Sequence, residues 1–190
     1  DKSRYDKPVW TIVDSAEHFL SHESLTSASR GPLESEKNAS ASSNKLISEI
    51  TCFTTRPDTN FGATFIVIAP EHEFVKKILN SEFKIQNSEL KKIQEYVKTS
   101  TSKSEQERLN ERKKKTGVFT GFYAINNLNG KKMPIWISDF VLSGFGTGAV
   151  VGVPGHDIRD FEFAKEFNLD IIRVVVGKDG NKSEIKIAPR

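Results

Sequence analysis

Residues 117–138 read GVFTGFYAINNLNGKKMPIWIS. Two runs rich in aromatic and β-branched residues, GVFTGFYAI and KMPIWIS, flank the turn-prone NNLNG. That is the pattern of a β-hairpin. Upstream, residues 46–53 (LISEITCF) and 63–69 (ATFIVIA) read as strands. Downstream, DFVL (139–142), GTGAVVGV (146–153) and IIRVVV (171–176) read as further strands. Helices alternate irregularly with these runs: EHEFVKKIL following Pro70, SELKKIQEYVK (88–98) with Leu90, Ile93 and Val97 at helical spacing, and DIRDFEFAKEFN (157–168). There is no internal repeat. The hairpin and the mixed order predict an α+β fold. Its core is a mainly antiparallel or mixed β-sheet, curved or barrel-like, with peripheral helices.

The flanks have a different character. PVWTIVDSAEHFL (8–20) reads as a strand and a short helix, whereas residues 21–45 are dominated by serine and nearly lack large apolar side chains. Such a stretch cannot bury enough surface to offset chain entropy and reads as a loop or linker. This divides the chain into an N-terminal segment, 1–45, and a folded domain, 46–190. The opening, DKSRYDKPVW, looks like the edge of an excised fragment. SKSEQERLNERKKK (102–115) reads as a charged helix or arm. Leu109 is its one apolar residue, so the stretch is not expected in the core.

The totals leave several classes aside. The 190 residues are 36% hydrophobic and 28% charged, with a formal charge of +3 and a sequence pI near 8.9. This mild basicity permits an anionic partner without requiring one. No window approaches a membrane span, and no N-terminal secretory signal is present. The single cysteine, Cys52, cannot make an intrachain disulfide and reads as a buried strand thiol, which fits a reducing compartment. His18, His22, His72 and His156 show no metal-ligand spacing. The sequons at Asn38 and Asn181 read as incidental.

Two places are unusual for plain structure. TTRPDTNFG (54–62) crowds three threonines, an arginine and an aspartate into one connection, although a turn needs only a Pro or Gly and one Asp. In the helix 157–168, Phe161, Phe163, Ala164 and Phe167 define an apolar face. Asp160 falls near its middle, with Asp157 one turn earlier. Asp157 reads either as a helix cap or as a site residue. Asp160 on an apolar face needs a partner, and a cation arriving with a ligand would satisfy it. Glycines at 144, 146 and 148 do not make a dinucleotide fingerprint, because they precede a strand-like run rather than open a helix. They suit either a close backbone approach or a tight turn.

TTRPDT, FGATFIVIAPEHEFV, KTGVFTGFYAIN and GTGAVVGVPGHDIRDFEFAKEF occur in that order. The series, from about Ile50 to Ile172, resembles the editing domain, or connective polypeptide, of bacterial and mitochondrial-type leucyl-tRNA synthetases. Departures include Asn60, where the family commonly has leucine, and Gly152, where it commonly has alanine. The resemblance implies hydrolysis of mischarged tRNA(Leu), such as norvalyl- or isoleucyl-tRNA(Leu). By resemblance, Thr54 and Thr55 donate to the substrate or hold water near its carbonyl. Arg56 meets a phosphate or pairs with Asp58, Thr59 lines the amino-acid pocket, and Asp160 anchors the ammonium. Phe145, Gly146, Thr147, Val151 and Val153 flank the terminal nucleotide, and Asp157 lies on the substrate side. His156 is either a base or a packing residue. No metal or cofactor is implied for editing, since ATP belongs to the parent enzyme's synthetic site. The implied partners are the tRNA 3′ end, with its terminal adenosine and ester, and AMP-like ligands, for a monomeric, cytoplasmic or organellar protein without a membrane. Alternatives are a non-catalytic acceptor-end binding module, a valyl or isoleucyl editing domain, and an interaction insert. In the last, Arg112, Lys113, Lys114 and Lys115 would be either a phosphate-binding cluster or a solvated face.

Overall fold

The computed structural model describes residues 9–14 (backbone only), 49–52, 54, 56–109 and 114–175. The hairpin is present: β4 (Val118–Ile125) and β5 (Lys132–Ile137) pair antiparallel, Ile125 opposite Lys132. Alternation sets their inner face, with Thr120, Phe122 and Ala124 on one strand and Met133, Ile135 and Ile137 on the other, all buried. Gly121, at φ +83, sits within an irregularity of register between Phe119 and Tyr123.

Four more strands extend this pair among the described residues: β1 (Val9–Asp14), β2 (Glu49–Thr51), β3 (Phe65–Ile68) and β6 (Ala149–Gly152). The sheet order is β2-β1-β4-β5-β3-β6, with β3–β5 parallel and the other pairs antiparallel. Mixed pairing with peripheral helices matches the expected fold class. Between a curved and a closed sheet, the described strands form an open order. β1 lies between β2 and β4, so the stretch read as a separate N-terminal segment supplies a strand to this sheet.

All four residues of β3 are buried because both sheet faces are covered. On one side, Ile66 and Ile68 pack with Phe74, Val75 and Ile78 of α1 (Glu73–Leu79) and Ile93 of α2 (Asn87–Thr101). On the other, Phe65 and Val67 pack with Phe163 and Ala164 of α4 (Ile158–Glu166). Phe163 is stacked on Phe65 at 5.2 Å between ring centroids. Cys52 is buried just beyond β2, and burial pushes its thiol up to about 12, where it is inert.

Three expectations change. DFVL is a turn, not a strand, because its backbone carbonyls are taken by the side chain of Arg108 instead of a ladder. Residues 171–175 are not strand either, since the amides of Val174 and Val175 donate to Nε2 of His156, at 3.1 and 3.3 Å. Within 102–109 and 114–115, only α3 (Glu105–Arg108) is helical, closed at its start by a capping box of Ser104 and Glu107. Its Arg108 is buried, so the charged stretch is anchored to the body. Arg112 and Lys113 lie outside the described residues, as do the short helix read after β1 and the last residue of 171–176. Lys114 and Lys115 pair with Glu166 and Glu162 of α4.

Candidate functional site

The TTRPDT connection is wired to itself. Pro57 opens a 3-10 turn, Pro57–Gly62, and its fixed φ suits that position. Thr54 Oγ1 accepts the Arg56 amide at 3.1 Å, while Thr59 donates both its amide (3.1 Å) and its hydroxyl (2.9 Å) to the Arg56 carbonyl. Arg56 holds Asp58 through two parallel bonds, 3.0 and 2.9 Å. This is the internal pairing, at an exposed position, and it keeps the Asp58 carboxyl below the ordinary range. Thr59 is buried. Thr55 lies outside the described residues.

Opposite stands the start of α4. Asp157 is its N-cap: Oδ1 accepts the amides of Arg159 (2.8 Å) and Asp160 (3.1 Å), so the capping reading holds. Asp160 points inward with the phenylalanines. Its Oδ2 accepts the Val153 amide at 2.8 Å, and no ion pair reaches it among the described residues. Burial first, then the nearby Asp157, pushes its carboxyl up to about 7. His156 uses Nε2 to accept the amides of Val174 and Val175, the packing role; burial and the cations Arg56 and Arg173 hold its pKa below the ordinary value. Gly155 permits the same crossing, because a Cβ there would overlap the Ile172 carbonyl.

These parts enclose a cavity of about 320 Å³. Thr54, Arg56 and Thr59 form one side; His156, Asp157, Arg159 and Asp160 form the other; Phe140, Val150, Val151 and Val153 supply an apolar wall. Eight of the residues singled out from sequence thus meet around one space. Asp58 stands behind Arg56. Phe145, Gly146 and Thr147 are not in the wall. Phe145 is 72% exposed, and the glycines at 146 and 148, at φ +59 and +69, make a tight turn whose Gly148 carbonyl accepts the Ala69 amide at 2.8 Å. Phe140, Val150 and Arg159 are wall residues the sequence did not single out. Phe140 gives no local signal, because its place depends on a turn held from a distant helix. Arg159 reads as outer-face by helical angle alone. Among the described residues, no group of three His, Cys, Asp or Glu side chains could hold a metal ion.

A buried, uncompensated carboxyl beside hydroxyls and two arginines suits a ligand that carries both an ammonium and an anionic group. Comparison with known proteins bears on the family. A family model described as "Leucyl-tRNA synthetase, editing domain" matches residues 38–189. Among solved structures, the agnB2 LeuRS of Agrobacterium radiobacter K84, crystallised as a ternary complex with tRNA and LeuAMS, is similar at 28% identity and a TM-score of 0.57. The match covers 91% of this chain and 16% of that one, so this chain spans about a sixth of that relative's length.

Proposed function

The chain belongs to the leucyl-tRNA synthetase editing-domain family, and from that premise we propose that its cavity deacylates tRNA(Leu) carrying a wrong amino acid, such as norvaline or isoleucine. The observation that carries the reading is Asp160, a buried carboxyl in the cavity wall with no ion-pair partner among the described residues. The α-ammonium of an aminoacyl ester supplies that partner. Once it docks, the carboxyl is held ionised, and the ester carbonyl is fixed at a set distance from the Thr54 side.

Water attacks the carbonyl carbon, and the acyl–oxygen bond breaks. The ribose oxygen leaves with a proton, and the amino acid is released. His156 Nε2 is already committed to two backbone amides, so a neighbouring ribose hydroxyl of the substrate is the better group to assist the water. Orientation and local dipoles carry the rate. Arg159 offers a cation to the phosphate of the terminal nucleotide, while Arg56 stays paired with Asp58. Thr59 is stiff because it is β-branched, and its hydroxyl bond to Arg56 fixes it further. It blocks the γ-branch of leucine, which spares the correct product.

The test is deacylation of purified norvalyl- and leucyl-tRNA(Leu) by the full-length protein that carries this sequence. Wild type should cleave the first and leave the second. Asp160→Ala should lose about 2–5 kcal/mol of transition-state binding, the usual effect of truncating a charged partner. Thr59→Ala should begin to cleave leucyl-tRNA. Tight binding of mischarged tRNA with no turnover by wild type would instead make this an acceptor-end binding module.

A further inference from the structure

Phe140 stands in the apolar wall of the cavity, yet it belongs to neither helix nor strand. Its position is set from outside. The carbonyls on both sides of it are bonded by one side chain: Arg108 Nε donates to Asp139 C=O at 2.9 Å, and Nη2 donates to Val141 C=O at 3.0 Å. Glu71 holds the same guanidinium through bonds of 2.6 and 3.3 Å. The Asp139 carboxylate is gripped in turn by Lys103 (2.7 Å) and Thr116 (3.0 Å), and the Asp139 amide donates to the Tyr96 hydroxyl at 3.2 Å. The ring then lies between Phe163, 5.6 Å away edge-on, and the Lys115 ammonium, 5.5 Å from its centroid.

The geometry points to Arg108 as a positioning residue for the cavity: by clamping the carbonyls of Asp139 and Val141, the residues on either side of Phe140, it fixes the ring as the wall against which the substrate is held. The inference rests on the editing reading and adds to it a residue remote from the chemistry. The planar fork of arginine is what the arrangement needs. A lysine ammonium can answer Glu71 or a carbonyl, but it cannot span both carbonyls and the carboxylate together. A loosened Phe140 takes no part in charge or proton movement. Its loss therefore weakens substrate and transition state alike, and the effect falls on KM rather than kcat.

Two measurements on the full-length protein test this. In norvalyl-tRNA(Leu) deacylation, Arg108→Lys should raise KM roughly tenfold, as a lost apolar contact does, with kcat nearly unchanged. Phe140→Ala should do the same, and adding Arg108→Lys to it should raise KM no further, because the two act through one contact. Separately, trifluoromethyl-phenylalanine placed at position 140 should give one sharp 19F resonance in wild type and a shifted or broadened one in Arg108→Lys. If Arg108→Lys does not fold, Lys103→Met, which loosens Asp139 from the other side, should move both readouts in the same direction to a smaller extent. An unchanged resonance, a loss confined to kcat, or additive effects of Arg108→Lys and Phe140→Ala would overturn the assignment. If wild type shows no deacylation while the resonance still responds to Arg108, the clamp stands and the editing reading fails.

Discussion

Asp160 makes the stability of the folded protein depend on pH. An unfolded aspartate loses its proton near 3.8, whereas this one holds it to about 7. Between those values the folded state carries a proton that the unfolded state lacks, so stability falls as pH rises through that window and levels off above it. At the limit the difference is on the order of 4 kcal/mol. Asp160→Asn keeps an oxygen for the Val153 amide and removes the titration. The variant should therefore resemble wild type near pH 4 and become progressively more stable than it toward pH 7.5. Denaturant midpoints at several pH values measure this, and parallel profiles for the two proteins would contradict it. Much at this scale was legible in the sequence. Asp160 stood out because its helical angle placed a charge among phenylalanines, and TTRPDT because it held more hydroxyls than a turn needs. The partners of those groups were not legible. That Thr59 donates to the Arg56 carbonyl, or that His156 accepts from Val174 and Val175, depends on how the backbone folds back on itself.

Between elements, β3 and β6 meet with Phe65 opposite Gly152. Phe65 is fully buried and stacked on Phe163 of α4, and a Cβ at position 152 would overlap its ring. Alanine at position 152 therefore conflicts with this core as it is packed. Gly152→Ala should destabilise the protein by about 1–3 kcal/mol, the usual effect of overpacking. Phe65→Leu in the same chain should recover part of that loss, although each change alone is unfavourable. Equilibrium unfolding of the two single variants and the double variant checks the coupling; simple additivity would show that the contact does not limit the packing. The strands themselves were readable from alternation and β-branched content. DFVL and IIRVV misled because apolar content reports burial, not ladder pairing. Their backbone groups are satisfied by Arg108 and His156, and a charged stretch with one leucine gives no hint that its arginine is buried.

Across the whole molecule, three separate stretches meet at one cavity because the sheet order is not the chain order. β3, which follows the TTRPDT connection, lies directly beside β6, which leads into α4. No spacing in the sequence states that adjacency; only the ordered motifs, taken together, suggested it. The same non-sequential order has a practical consequence for anyone cutting the gene. The span that family comparison marks out begins at residue 38, but β1, at Val9–Asp14, fills the slot between β2 and β4. A fragment expressed from residue 38 would leave the flank of β4 from Phe122 to Ile125 with open donors and acceptors, and it would leave β2 with nothing to join. Bare strand flanks recruit other chains. Such a fragment should elute as soluble aggregate in size-exclusion chromatography, whereas one that starts before Val9 should run as a single small species. Equal behaviour of the two would mean that β1 is dispensable. The border drawn by likeness and the border required for a self-contained piece are thus different places in the gene.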